Sequence, residues 1–219
     1  MQTSRPSAPM SLADLAAQIS MLAGCDGDRR QDGLDLLAVA AGLKPLCLTG
    51  RGAEDPGWSR LWNGPVFSGP IWEAEGDFPA WYLAATARRR AKYRVTYLCG
   101  DSGVRKAAEA LCCLGRVSVE AEAALLGYPA CCVAHHHAQT QAIETQIAER
   151  ASRLASGDET RMVRLIETGT LAIAPPAIRP APFTSINMCD ACALSDESPA
   201  ALTSHRYRAL ASAAGYEVS

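Results

Sequence analysis

Apolar and polar positions along the chain follow two periods, and each period predicts one kind of element. Apolar residues that recur every three or four positions predict helices in the first half, near 11–24, 32–42, 79–90 and 104–114. Alternation over 93–99 predicts a strand with one buried face, and the short stretch 44–49 predicts a second strand. The order of strands and helices predicts an α/β fold class with a small sheet, and an α+β arrangement is the alternative.

The second half of the chain is predicted to be mostly helical. Helical patterns are found near 119–126, 129–154, 159–167 and 198–210, and prolines between 175 and 182 predict a stiff connector. Residues 50–79 are rich in Gly, Pro and Trp and are expected to form a long irregular segment. The predicted organisation is a disordered leader over 1–10, an α/β half over 11–115 and a helical, cysteine-rich half over 116–219. The two halves are expected to form one compact unit.

Composition narrows the classes of function. The 219 residues include 21 basic and 23 acidic side chains, a formal net charge of −2, so no excess charge indicates nucleic acid. No apolar stretch has the length of a membrane span or a signal peptide, so we expect a cytoplasmic protein with no membrane partner. Nine cysteines, an odd number in that setting, favour metal binding or thiol chemistry over disulfides. A small-molecule substrate and a protein partner are both compatible with this composition.

Two cysteine pairs in the second half have the spacing of metal ligands. Pro129 predicts the start of a long helix and places Cys131 and Cys132 in its first turn, where the helix dipole is expected to lower thiol pKa values. Cys189 and Cys192 form C-x-x-C, a spacing that turns two sulfurs toward one ion or cluster. Four thiolates fill a four-iron cluster or a tetrahedral zinc site, so we predict a [4Fe-4S] cofactor, with zinc as the alternative. Separate roles for the two pairs, or burial as small residues, are the other interpretations.

Three further residues are candidate catalytic groups. His135 and His136 lie one helical turn beyond Cys131 and Cys132, so either one is placed to act as a further ligand or as a base. Cys99, at the end of a predicted strand, is the third candidate. The sequence leaves three functions open: an enzyme that uses an iron–sulfur cluster or thiolate-bound iron on a small molecule, a binding or accessory module with structural zinc, and an enzyme with a cysteine nucleophile.

The segment around the first cysteine pair resembles a known family. Its sequence, Leu-Gly-Tyr-Pro-Ala-Cys-Cys-Val over 126–133, is similar to the L-G-Y-P-x-C-C-V motif of an uncharacterised prokaryotic family that carries a later cysteine pair before a final helix. This resemblance covers roughly residues 115–215 and implies a shared site without naming a reaction. A looser similarity is to the cysteine-rich domain of heterodisulfide reductases, which holds an iron–sulfur cluster. Val133 stands where that domain has glycine.

Overall fold

Helices account for most of the fold. The computed structural model describes residues 10–24, 26–49, 57–171, 173 and 177–217, so all but the last residue of the expected leader lies outside the described part. The helices are α1 (Leu12–Ala23), α2 (Gly27–Ala40), α3 (Trp58–Leu61), α4 (Ala80–Arg90), α5 (Ser102–Leu114), α6 (Val119–Leu126), α7 (Ala130–Ala155), α8 (Glu159–Thr168), α9 (Asp190–Ala193) and α10 (Pro199–Ala214). Within the described ranges, none of these helices has the length and apolarity that crossing a bilayer requires.

Polar side chains define where many of these helices begin. A side-chain oxygen accepts a backbone N–H of the first turn at Ser11, Asp26, Asp101, Ser118, Asp158 and Ser198. Helix α2 begins earlier than the sequence pattern predicted, because Asp26 caps it by accepting the N–H of Arg29 at 3.0 Å. The first turns of α2 are polar. The repeat of apolar residues that indicates a helix therefore begins only after the helix has started.

A small antiparallel sheet lies in the first half of the chain. Its order is β1-β4-β2, formed by β1 (Leu46–Thr49), β2 (Val66–Pro70) and β4 (Arg94–Cys99), and both outer strands run antiparallel to β4. A second, parallel pair joins β3 (Glu73–Ala74) to β5 (Arg116–Val117). The predicted pairing of the segments near 44–49 and 93–99 is confirmed, and so is the α/β class with its small sheet.

The segment expected to be irregular over 50–79 contains regular structure. Residues 50–56 lie outside the described part of the chain, but α3, β2 and β3 all fall in the rest of it. Gly69 and Pro70 end β2 and obscured its pattern, whereas pairing with β4 and the stacking of Phe67 on Tyr97, with ring centroids 4.5 Å apart, stabilise it. The aromatic residue Trp58 is fully buried at the start of α3.

The two halves of the chain contribute side chains to the same hydrophobic cores. One core lies between α1, α2 and the C-terminal helix α10, and a second lies between the main sheet, α5 and α6. A third core joins α4 of the first half to α7 and α8 of the second. These shared cores place the start of α7 against the first half of the chain, where Gly127 approaches Lys44 and Pro45.

Candidate metal centre

The first cysteine pair lies at the start of the long helix α7. Gly127 ends α6 in the left-handed conformation, with φ 67°, and Pro129 is the N-cap of α7. Cys131 and Cys132 therefore occupy the first turn, as the sequence predicted, although Pro129 precedes the helix instead of forming its first residue. The first turn is closed by the N–H of Cys132, which donates to the carbonyl of Pro129 at 2.9 Å.

The second pair lies in a short helix, where the sequence predicted a loop. Cys189 is the N-cap of α9 and Cys192 lies within it, so one helical turn brings both sulfurs to the same side. The N–H of Ala193 donates to the carbonyl of Cys189 at 3.0 Å. Ser198, the N-cap of α10, donates its hydroxyl to the carbonyl of Cys192 at 2.9 Å, which fixes α9 against the start of the last helix.

The sulfurs of the two pairs converge, and we call Cys131, Cys132, Cys189 and Cys192 the four-cysteine cluster. The Sγ atoms of Cys131 and Cys192 are 3.6 Å apart, and those of Cys132 and Cys189 are 4.0 Å apart. All four sulfurs lie within 4.8 Å of one another, so the cluster could hold a metal ion. Three of the cysteines are buried and Cys131 is exposed. The predicted convergence is confirmed.

Backbone N–H groups and helix ends surround the cluster with positive partial charge. The backbone N–H of Ala200, in the first turn of α10, acts to lower the pKa of Cys192, and the N–H of Cys189 acts to lower that of Cys132. The first turn of α7 holds Cys131 and Cys132 themselves. Because the N-terminal end of a helix carries a partial positive charge, α7 and α10 both favour an anionic group at this point.

The pKa values of the thiols depart from the sequence-based expectation. Burial, followed by the contacts with Cys192 and Cys189, raises the pKa of Cys131, and burial likewise raises the pKa of Cys132. Burial also opposes ionisation of Cys192, but the N–H of Ala200 and hydrogen bonds from the neighbouring thiols outweigh it and lower that pKa. The prediction of lowered pKa values at Cys131 and Cys132 is therefore wrong. Thiols this close cannot all carry negative charge unless a cation joins them.

The candidate catalytic residues lie outside the group of converging sulfurs. Among the described residues, the four-cysteine cluster is the only group of three or more possible metal ligands that meets in space, and it includes neither His135 nor His136. His136 is exposed and His135 is half-buried. The inward-facing residue of the three consecutive histidines is His137, whose Nε2 lies 2.5 Å from the Glu122 carboxylate and joins α7 to α6.

Cys99 and the remaining cysteines belong mainly to the core. Cys99 ends β4 with no exposed surface, and burial raises its pKa to about 12, so its thiol is protonated at neutral pH. Cys47 and Cys112 are also buried, whereas Cys113 is exposed on α5. Cys25 lies outside the described residues.

The segment before Cys189 is held by its own hydrogen bonds as well as by contacts with distant helices. An isolated bridge pairs Pro180 with Asn187, and the N–H of Ala181 donates to the carbonyl of Ile186 at 2.9 Å. The side chain of Asn187 also donates to Gln139 of α7 at 2.8 Å. Composition alone did not predict these contacts, because proline-rich segments usually lack them.

A buried ion pair that the sequence pattern did not predict lies near the cluster. Lys44 and Asp35 meet at 2.9 Å with side chains only 1% and 8% exposed. The available signal was the position of Asp35 between Leu34 and Leu36, because a charged residue inside an apolar run is rarely buried without a partner.

No known family model, curated protein or solved structure matches this chain. The geometry of the four-cysteine cluster is therefore the main support for any functional conclusion.

Proposed function

We propose that the four-cysteine cluster binds one zinc ion in a closed tetrahedral site, and that the protein is a zinc-stabilised binding or accessory module. The observation that carries this proposal is the separation of the sulfurs. Zinc–thiolate bonds of about 2.3 Å place the sulfurs of a regular tetrahedron about 3.8 Å apart. The Cys131–Cys192 and Cys132–Cys189 separations of 3.6 and 4.0 Å lie on either side of that value.

The same separations favour a single ion over a [4Fe-4S] cluster. In a four-iron cluster each thiolate binds a different iron, so the cluster itself keeps the thiolate sulfurs apart. Sulfurs that all lie within 4.8 Å of one another would have to separate to receive it. The cluster remains the second candidate, since four cysteine thiolates are also its usual ligand set.

A closed site supports a structural role more than a catalytic one. Four thiolates complete a tetrahedral shell and leave no open position for a substrate, whereas catalytic zinc sites have three protein ligands and a water. The ion would join α9 and the start of α10 to the first turn of α7.

Metal and sulfide analysis of anaerobically purified protein tests the proposal. We expect about one zinc per chain, no acid-labile sulfide and a colourless protein, because zinc has a filled d shell. Co²⁺ exchanged into the site should give the intense visible bands of a tetrahedral thiolate complex. A brown protein with iron and sulfide would support the iron–sulfur alternative and overturn the zinc proposal. Iron without sulfide would indicate a single thiolate-bound iron.

Alkylation separates metal ligation from the cysteine-nucleophile alternative, and Cys113 is the matched control for Cys131 because both are exposed. With zinc bound, we expect iodoacetamide to modify Cys113 and to spare Cys131, since a coordinated thiolate reacts slowly. After chelation both residues should be modified, as mapped by peptide mass spectrometry. Rapid modification of Cys131 in the zinc-loaded protein would show that it is not a ligand and would favour a free nucleophile.

A further inference from the structure

A polar network centred on a buried ion pair lies between the four-cysteine cluster and the first half of the chain. It consists of Asp35 on α2, Lys44 before β1, Tyr128 before α7 and Ser185 before α9. Lys44 Nζ lies 2.9 Å from Asp35 Oδ2 and donates to the hydroxyl of Tyr128 at 2.8 Å. The hydroxyl of Ser185 donates to the same Asp35 oxygen at 2.8 Å.

The network contacts both segments that carry the cysteines. Tyr128 lies three residues before Cys131, and Ser185 lies four residues before Cys189. Each of these segments has one side chain bonded to the ion pair, Tyr128 to Lys44 and Ser185 to Asp35. The ion pair itself comes from a different part of the chain. It therefore connects the two cysteine-bearing segments to each other through a third part of the fold, formed by α2 and the residues that follow it.

The burial of the ion pair makes these contacts specific. Lys44 and Asp35 have side chains 1% and 8% exposed, so each charge relies mainly on protein partners and little on water. In the described structure the second oxygen of Asp35 has no hydrogen-bond partner, and the carboxylate therefore depends on Lys44 and Ser185. Buried charged networks are strongly directional, because a misplaced donor leaves a charge uncompensated.

We propose that Asp35 and Lys44 are positioning residues of the metal centre, holding the two ligand-bearing segments in register through Ser185 and Tyr128. This inference rests on the proposed binding of zinc by the four-cysteine cluster. Residues behind the ligands of a metal site set the ligand orientation, and their loss lowers metal affinity by about 10–100-fold. Here the network does not contact the sulfurs. It instead holds the backbone segments that lead into each cysteine pair.

The test measures Zn²⁺ affinity by competition with a chromophoric chelator, together with the visible spectrum of the Co²⁺ form. A single substitution of Asp35 or Lys44 leaves the other charge buried, so loss of the fold would obscure its effect. The double variant D35L/K44M removes both charges and retains apolar volume. We expect it to fold, to bind Zn²⁺ about 10–100-fold more weakly and to give a broadened Co²⁺ spectrum.

Two smaller substitutions test the two contacts of the ion pair, with Tyr128 and with Ser185, separately. Y128F and S185A each remove one hydroxyl, and each should weaken Zn²⁺ binding by roughly tenfold or less. S185T keeps the hydroxyl, and because residue 185 is exposed the added methyl group can face solvent, so this variant should restore the affinity. These variants decide the question if the double variant does not fold.

The control for general destabilisation is E144Q. Glu144 pairs with Arg116 at 3.0 Å in a half-buried ion pair that contacts α4 and β3, outside the network. E144Q should lower stability and leave Zn²⁺ affinity unchanged. The inference is overturned if D35L/K44M, Y128F and S185A all bind Zn²⁺ within twofold of the unsubstituted protein, or if E144Q weakens binding as much as they do. Failure of the unsubstituted protein to bind Zn²⁺ would instead overturn the proposed function and this inference together.

Discussion

Replacement of Cys189 by serine is expected to abolish retention of zinc, whereas replacement of Cys113 by serine should leave the metal content unchanged. Cys189 is buried, and its sulfur lies 4.0 Å from that of Cys132. A serine hydroxyl is a poor ligand for zinc at neutral pH, and loss of a direct ligand should exceed the 10–100-fold cost of losing a residue behind it. Cys113 is an exposed cysteine on α5.

The measurement is the ratio of zinc to protein after gel filtration in the presence of a weak chelator. Equal retention by C189S and C113S would show that Cys189 is not a ligand. A second readout is cleavage by chymotrypsin after Leu194, which follows α9 and is 87% exposed. Because α9 has only four residues, it should open when the metal is lost, and cleavage there should increase. Unchanged resistance after metal loss would contradict the structural role of the ion.

The C189S substitution should make α9 accessible to protease without exposing the whole proline-rich connector before it. The prolines between 175 and 182 predicted a stiff connector and indicated no contacts that would hold it to the rest of the fold. The structure adds the bond from Asn187 to Gln139 and the bond from Ser185 to Asp35. We therefore expect the residues around 180–187 to stay protected while α9 becomes accessible.

The substitution K44A is expected to lower the free energy of unfolding by about 3–5 kcal/mol, because it leaves the Asp35 carboxylate buried without its cation. Burial alone would lower the pKa of Lys44, but the charge of Asp35, with smaller contributions from Tyr128 and other neighbours, outweighs burial and raises it. The side chain therefore stays charged at neutral pH, and its loss removes a full positive charge from the interior.

Urea denaturation followed by circular dichroism measures this effect, and K106A is the control. Lys106 is an exposed lysine of α5, so its removal should change stability by no more than about 0.5 kcal/mol. The free energy of unfolding of D35L/K44M should be much closer to that of the unsubstituted protein than that of K44A is, because the double variant leaves no unpaired charge. Similar stability of K44A and K106A would show that the Lys44–Asp35 pair does not form as described.

The local sequence determined much of the cysteine site. Pro129 before an apolar helical period predicted the start of α7 and thereby placed Cys131 and Cys132 in one turn. The C-x-x-C spacing predicted that the sulfurs of Cys189 and Cys192 face the same ion or cluster. These are short-range properties, since a helix start and a single turn depend on residues within a few positions of each other. The strand over 93–99 was predictable for the same reason.

Other features depended on residues that are distant in sequence. Strand β2 exists because β4 offers it a partner, and its glycine and proline concealed it from the pattern. The pKa values of Cys131 and Cys132 rise because burial and neighbouring thiols outweigh the helix dipole, and both effects appear only when the pairs meet. His137 lies on the same face of α7 as the buried Val133, but its partner, Glu122 of α6, is set by the packing of the two helices. The contact of Asp35 with Ser185, 150 positions apart in the chain, likewise follows from tertiary packing alone, because chain spacing carries no information on which buried charges will share a partner.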